Sequence, residues 1–273
     1  MNAPFTSTGA RSTSRFSCRA TTGSHDADRM RLILSAAIAS IACLGAAWAG
    51  AAHAAGLQPF VASYDAWYAG KPAGTATMQV VRDEANARWR VDLGIRGNRG
   101  FAGVVGLNLE QSTVFDEAND IYRPLSQSTV RKAALFLNRR ITGTYDWHNN
   151  TAQWTGDIKA ERRAPVPIRY GDMSGLLINL AVIRDAAPGK TLHYRFVDGG
   201  RVRDYDYRVA EHTEPVTVAE LRYEAMRVER TNGGNDETIF WIADGVPTPV
   251  RILQREDGED TVDLRLIEYR AMQ

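Results

Sequence analysis

Polar and apolar residues alternate with a period of two through most of the chain from residue 60 onward. Phe60-Val61-Ala62-Ser63-Tyr64-Asp65-Ala66-Trp67-Tyr68 is aromatic and β-branched and ends at Gly70-Lys71-Pro72, a turn. Residues 75–81 follow, then the polar turn Asp83-Glu84-Ala85-Asn86, then the alternating run Arg88-Trp89-Arg90-Val91-Asp92-Leu93-Gly94-Ile95. Successive side chains of a strand point to opposite faces, so this pattern predicts a sheet with one wet and one packed face. It recurs over residues 107–115, 126–131, 140–147, 191–197, 202–209, 221–229, 237–242, 250–254 and 261–269. The links between these runs are short: Asp198-Gly199-Gly200, Asn232-Gly233-Gly234-Asn235 and Asp257-Gly258. Asn and Gly tolerate positive φ, which tight hairpins need. Many strands in sequence order with short links predict a mainly β fold. The expected form is a curved antiparallel meander that makes a β-roll, barrel or half-barrel.

One segment departs from the pattern. Residues 172–184, Asp-Met-Ser-Gly-Leu-Leu-Ile-Asn-Leu-Ala-Val-Ile-Arg, read as a helix with Asp172 as N-cap and Pro188-Gly189 as the stop. Its apolar residues run nearly all the way round, so it is expected to be buried on most sides. It is too short for a bilayer, which needs about 20 residues. A curved sheet wrapped around one short buried α-helix satisfies both facts.

Residues 32–49 (LILSAAIASIACLGAAWA) form an uncharged apolar run preceded by Met30-Arg31 and followed by Ala52-His53-Ala54-Ala55. A basic start, an apolar stretch and an A-x-A exit predict a secretory signal peptide over residues 30–54, cut between Ala54 and Ala55. Residues 1–29 are rich in Ser, Thr and Arg, without periodicity. They read as a non-native or disordered extension, with translation starting at Met30. Residues 55–273 then form a single β-rich domain in the periplasm. Cys18 and Cys43 both lie upstream of the cut, so the mature part has no thiol for disulfides, nucleophilic catalysis or thiolate metal sites. Lipidation at Cys43 is the lesser alternative, because Ser40 stands where a bulky aliphatic residue is normally wanted.

Charge adds one exclusion. The formal net charge is +1 and basic residues are interspersed with acidic ones. Nucleic-acid binders concentrate Lys and Arg on one face, so no nucleic-acid partner is expected.

Three stretches resemble an exported family of Gram-negative bacteria, domain-of-unknown-function family 3108. They are Phe60-Val61-Ala62-Ser63-Tyr64 with Gly70 and Gly74, the turn Gly171-Asp172-Met173-Ser174-Gly175-Leu176, and Phe240-Trp241-Ile242-Ala243-Asp244-Gly245-Val246-Pro247-Thr248-Pro249-Val250-Arg251-Ile252. The likeness runs from about residue 58 to 270. It implies a periplasmic or cell-surface location and an all-β roll, and it assigns no activity and no catalytic residue. The Trp241 hairpin is also weakly similar to one in the periplasmic lipoprotein-carrier half-barrels.

Candidate chemistry is sparse. His148, His193 and His212 are far apart and lack metal-ligand spacing, so they read as surface residues. Gly171-Asp172-Met173-Ser174-Gly175 fails the G-x-S-x-G elbow, because Ser174 comes one place late. Gly97-Asn98-Arg99-Gly100-Phe101-Ala102-Gly103 has no following Lys-Ser/Thr, so it is not a phosphate loop; it reads as a bulge or as an apolar flap over a cavity. Asp204 and Asp206 share a strand face and could act together, but alternation with Tyr205 and Tyr207 fits an ordinary wet face. No catalytic residue, metal or cofactor is assigned. Trp67, Trp89, Leu176, Leu177, Leu180 and Trp241 are the candidate lining of a cavity or groove.

The reading that follows is a non-catalytic, monomeric envelope protein that binds a lipid-like apolar ligand or an envelope partner. Its rivals are a hydrolase of cell-wall or surface glycans and a structural or assembly factor of the outer membrane. An outer-membrane barrel fits less well, because the strands are uneven and the helix is apolar.

Overall fold

The computed structural model describes residues 56–100, 103, 106, 108–133 and 137–272. The expected leader, its cut at Ala54/Ala55, the start at Met30 and both cysteines lie outside them, as do Phe101 and Ala102 of the glycine-rich loop. Among the described residues the chain runs β1 (Phe60–Tyr68), β2 (Lys71–Asp83), β3 (Arg88–Gly97), β4 (Asn108–Ala118), β5 (Ile121–Ala133), β6 (Leu137–Asp146), β7 (Thr151–Gly156), β8 (Val166–Pro167) and β9 (Asp172–Met173). Helix α1 (Gly175–Asp185) follows, then β10 (Thr191–Asp198), β11 (Arg201–Val218), β12 (Leu221–Arg230), β13 (Asp236–Ala243), β14 (Arg251–Glu256) and β15 (Glu259–Ala271).

All fifteen strands belong to one curved, unclosed sheet, in the order β8 back to β1, then β15 back to β9. The first and last long strands therefore pair at its centre, Phe60 opposite Ala271 and Tyr68 opposite Val262. Every pairing is antiparallel except that of β9 with β10. The predicted meander is present, and three short strands that alternation did not reveal, β7, β8 and β9, extend its two edges. Register shifts in β1, in the β4–β5 pair and in the β11–β12 pair bend the sheet around its concave side.

Strand β3 shows how sequence makes curvature useful. Trp89, Val91 and Leu93 point inward and are buried, whereas Arg88 and Arg90 are exposed. The inward residues of neighbouring strands lie in rows across the sheet. One row is Phe60, Val80, Val91, Thr113 and Gln127; the next is Ala62, Met78, Leu93, Gln111 and Thr129. A third is Tyr64, Ala76, Ile95, Leu109, Arg131 and Arg139.

Helix α1 lies against the concave face, touching β3, β4, β5 and β10. Leu177, Ala181 and Val182 are wholly buried and Leu176, Ile178 and Leu180 nearly so. Each such aliphatic side chain contributes on the order of 2 kcal/mol by leaving water. The start of the helix differs from the sequence expectation. Its N-cap is Ser174, whose Oγ accepts the Leu177 N–H at 3.4 Å, and Asp172 instead ends up in strand β9. Asp172 is held there by Arg195, directly opposite it in the β9–β10 register. A buried carboxylate needs a counter-charge more than a helix needs a second capping candidate. The helix ends at Asp185, before Pro188-Gly189, with Ala186 in an extended conformation.

The two edges of the sheet overlap rather than join. Val197 of β10 alternates with the inward-facing Phe196 and is fully buried on the outer side, clustered with Tyr145, Ala152 and Trp154 of β6 and β7. The inner face of one edge thus covers the outer face of the other. Side chains tie this seam. The Tyr145 hydroxyl lies 2.7 Å from the Val197 carbonyl and 2.5 Å from Gln127 Oε1, with one proton to share between them. The Gln127 amide donates to Asp198. Away from the seam, the hydroxyls of Thr113 in β4 and Ser174 at the helix cap bond at 2.9 Å.

Candidate functional site

Inward rows that fill the concave face near Phe115 and Trp89 thin out toward the other end. Along β2 the inward series runs Val80, Met78, Ala76, Gly74, and along β1 it ends at Ala66. Small side chains and the limited reach of an eleven-residue helix leave space there. A cavity of about 440 Å³ lies between the N-terminal end of α1 and the strands. Its apolar wall includes Leu93, Ile95, Leu176, Phe196, Tyr205 and Phe240. Phe196 and Tyr205 stack with ring centroids 4.8 Å apart, and Arg230 covers the other partner of that pair, 4.0 Å from the Tyr205 centroid. Gln111, Thr129, Arg131 and Asp198 supply polar wall, and Asp236, Glu237, Arg255 and Glu256 also line it.

A second, almost wholly apolar cavity of about 220 Å³ adjoins the first, lined by Ala66, Trp67, Ala73, Leu109 and Val262 among others. Ile95, Leu109, Arg131 and Val262 line both. The two spaces therefore meet at three aliphatic side chains and one guanidinium. Volumes of this order suit a small organic ligand rather than bulk solvent alone.

Electrostatics at the seam are unusual. Burial pushes the Asp198 carboxyl up to about 6, against the Gln127 hydrogen bond, the Gly199 N–H and the charge of Arg131, which all pull it down. Asp172 is fully buried; its Oδ2 takes the Arg195 guanidinium and the Arg169 N–H at 2.9 Å, and its Oδ1 has no partner among the described residues. Burial likewise raises Tyr145 well above the usual phenol range, so it serves as a neutral donor.

The sequence candidates separate into two groups. Leu176 borders the larger cavity and Trp67 the smaller, the latter capped by Arg265 at 4.2 Å. Leu177 and Leu180 are packed into the core, as is Trp89, with Arg82 over its ring at 5.2 Å. Trp241 is also buried; its Nε1 donates to Glu214 at 2.5 Å and Arg251 stacks on it at 4.8 Å. The residues that join the cavities, Ile95, Leu109, Arg131 and Val262, were not singled out from the sequence. Strand phase was the available signal, since Gln127, Thr129 and Arg131 alternate on one face. The β4–β5 register shift hides which face that is.

Asp204 and Asp206 lie on the face opposite to Tyr205 and Tyr207, away from the cavity. The β10–β11 register brings His193 to them: its Nδ1 is 2.5 Å from Asp206 Oδ1 and its Nε2 3.7 Å from Asp204 Oδ1. Asn232 donates to Asp206 at 3.0 Å. His148, His193 and His212 are all exposed. Among the described residues no group of three His, Cys, Asp or Glu side chains is placed to hold a metal ion.

The family model described as "Protein of unknown function (DUF3108)" matches residues 63–265. The chain belongs to the DUF3108 family. This DUF3108 protein matches no curated protein sequence. Its fold is similar to a β-barrel-like protein of the DUF1849 family from Brucella abortus, at 12% identity and a TM-score of 0.49. That likeness covers 80% of this chain and 99% of the other.

Proposed function

We propose that this DUF3108 protein is a non-catalytic binding protein of the bacterial periplasm whose half-barrel holds an apolar or amphiphilic ligand. The observation that carries the reading is the pair of adjoining cavities, one mixed and one apolar, at the open end of the concave face. A tightly filled β-roll would have closed that space, because interiors normally pack to crystal-like density. Polar wall beside an apolar annexe suits a ligand with a head and a tail. Export is supported by the basic-apolar-small pattern of residues 30–54.

The carboxylate pair that the sequence offered for a glycan hydrolase is poorly placed. Asp204 and Asp206 sit two apart on the convex side, engaged by His193 and Asn232, and not across the cavity. The binding reading therefore goes ahead of the hydrolase.

The test is to express the full chain in a Gram-negative host, isolate the periplasmic fraction and determine the N-terminus. The purified protein is then extracted with organic solvent, and the extract is read by mass spectrometry. The expected outcome is a chain beginning at Ala55 that releases an apolar compound in near-stoichiometric amount. Protein that extracts empty, and whose melting temperature fatty acids and phospholipids leave unchanged, would overturn the binding role. An unprocessed chain in the cytosol would overturn the location.

A further inference from the structure

Arg131 is an exposed cation at the end of an otherwise apolar row. Its row on the concave face reads Ala76, Ile95, Leu109, Arg131. It lines both cavities, together with Ile95, Leu109 and Val262. Directly across the β5–β6 pair stands Arg139, in the same inward phase; it is exposed and lies beyond the lining of either cavity. Side chains opposite one another on antiparallel strands have Cβ atoms about 5 Å apart, and like charges there are destabilising. Neither arginine forms an ion pair among the described residues, whereas eleven other arginines do, Arg123, Arg195, Arg251 and Arg255 among them. Asp198, the nearby carboxylate, is hydrogen-bonded by Gln127 and the Gly199 N–H and feels the charge of Arg131 without forming an ion pair with it. The acidic rim residues Asp236, Glu237 and Glu256 belong to β13 and β14 on the other half of the sheet, and Glu237 already faces Arg255 at 3.4 Å. An anion placed at Arg131 and Arg139 would relieve their mutual repulsion, and the apolar annexe begins beside it.

We infer that Arg131 and Arg139 hold the carboxylate or phosphate head of a single-chain amphiphile whose tail lies in the apolar cavity beside Trp67 and Val262. This rests on the binding role proposed above and names the ligand class. Guanidinium suits either head group, since its fixed fork matches the oxygens of both.

Four probes with one dodecyl chain decide the matter: laurate, dodecyl phosphate, dodecanol and dodecyltrimethylammonium. Each is titrated below its critical micelle concentration into the wild type, Arg131→Gln, Arg139→Gln and the Arg131→Lys/Arg139→Lys double variant, and heat is recorded. The wild type is expected to bind the two anions at least roughly tenfold tighter than the neutral and cationic probes, as charge-assisted hydrogen bonds would give. Each Gln variant should weaken the anions by roughly tenfold and leave dodecanol unchanged, while the Lys variant recovers most of the loss. The tighter of the two anions identifies the head group. If all four probes bind alike, or the Gln variants weaken dodecanol as much as laurate, the head-group assignment fails and the binding role stands. If no probe binds the wild type, the binding role falls and takes this assignment with it.

Discussion

The concave face has two ends that obey different rules. At the closed end, Trp89, Phe115, Phe60 and Leu177 are buried in continuous contact, and each is large and apolar. At the open end the same strands carry Ala66, Gly74 and Ala76, then Ile95 and Leu109, only partly buried, with Arg131 and Arg139 beyond them. One sheet with one curvature serves both ends, so the difference lies in side-chain volume and in how far α1 reaches. The closed end stabilises the fold. The open end gives up packing and leaves a space with a charged border, where the proposed ligand would replace the missing contacts.

This contrast can be broken first at the closed end. Leu177→Ala removes a wholly buried side chain on α1 and leaves a hole that the helix and four strands cannot collapse. Urea unfolding should show a loss of about 3 kcal/mol. A loss under 1 kcal/mol would mean that the helix does not organise the core and that the two ends are equivalent.

A smaller effect sharpens the comparison at the seam, between the two ends. The Asp198 carboxyl is raised to about 6 in the folded protein by burial, above its unfolded value. The folded state then holds its proton more tightly, so stability from this group is present below pH 4 and is lost as pH rises through about 6. Asp198→Asn, which stays neutral, should match the wild type near pH 4 and exceed it by about 2 kcal/mol at pH 8. Melting curves across that range check it. A variant less stable than the wild type at pH 8 would show that the Gln127 and Gly199 hydrogen bonds outweigh the burial of charge.

Much of this architecture was legible in the alternation of residues. Phe60–Tyr68 and Arg88–Gly97 alternate because one face is wet and the other packed, and that requirement is written position by position. The short edge strands were not legible. Val166–Pro167 and Asp172–Met173 have two residues each, too few to show a period, and they pair only because the rest of the sheet brings them there. Asp172 was read as a cap because local propensity favours it, and tertiary pairing with Arg195 won. The cavity was least legible of all. A hole is made by what neighbours lack, and Ala66, Ala76 and Leu109 become neighbours only through register. Trp89, Leu177, Leu180 and Trp241 are as greasy as any cavity wall, and their burial among one another could not be told from exposure to a ligand.

The most direct test uses a fatty acid with a nitroxide near the end of its tail, such as 16-doxyl-stearate, added to protein carrying labelled Ala, Ile, Leu and Val methyl groups. Nitroxide broadening falls with the sixth power of distance, so the nearest methyl groups lose the most signal. The account predicts the strongest broadening at Ala66, Ala73, Leu109 and Val262, and clearly weaker broadening at Leu177, Leu180 and Val182. Broadening confined to the convex surface, or spread evenly over both ends, would contradict it.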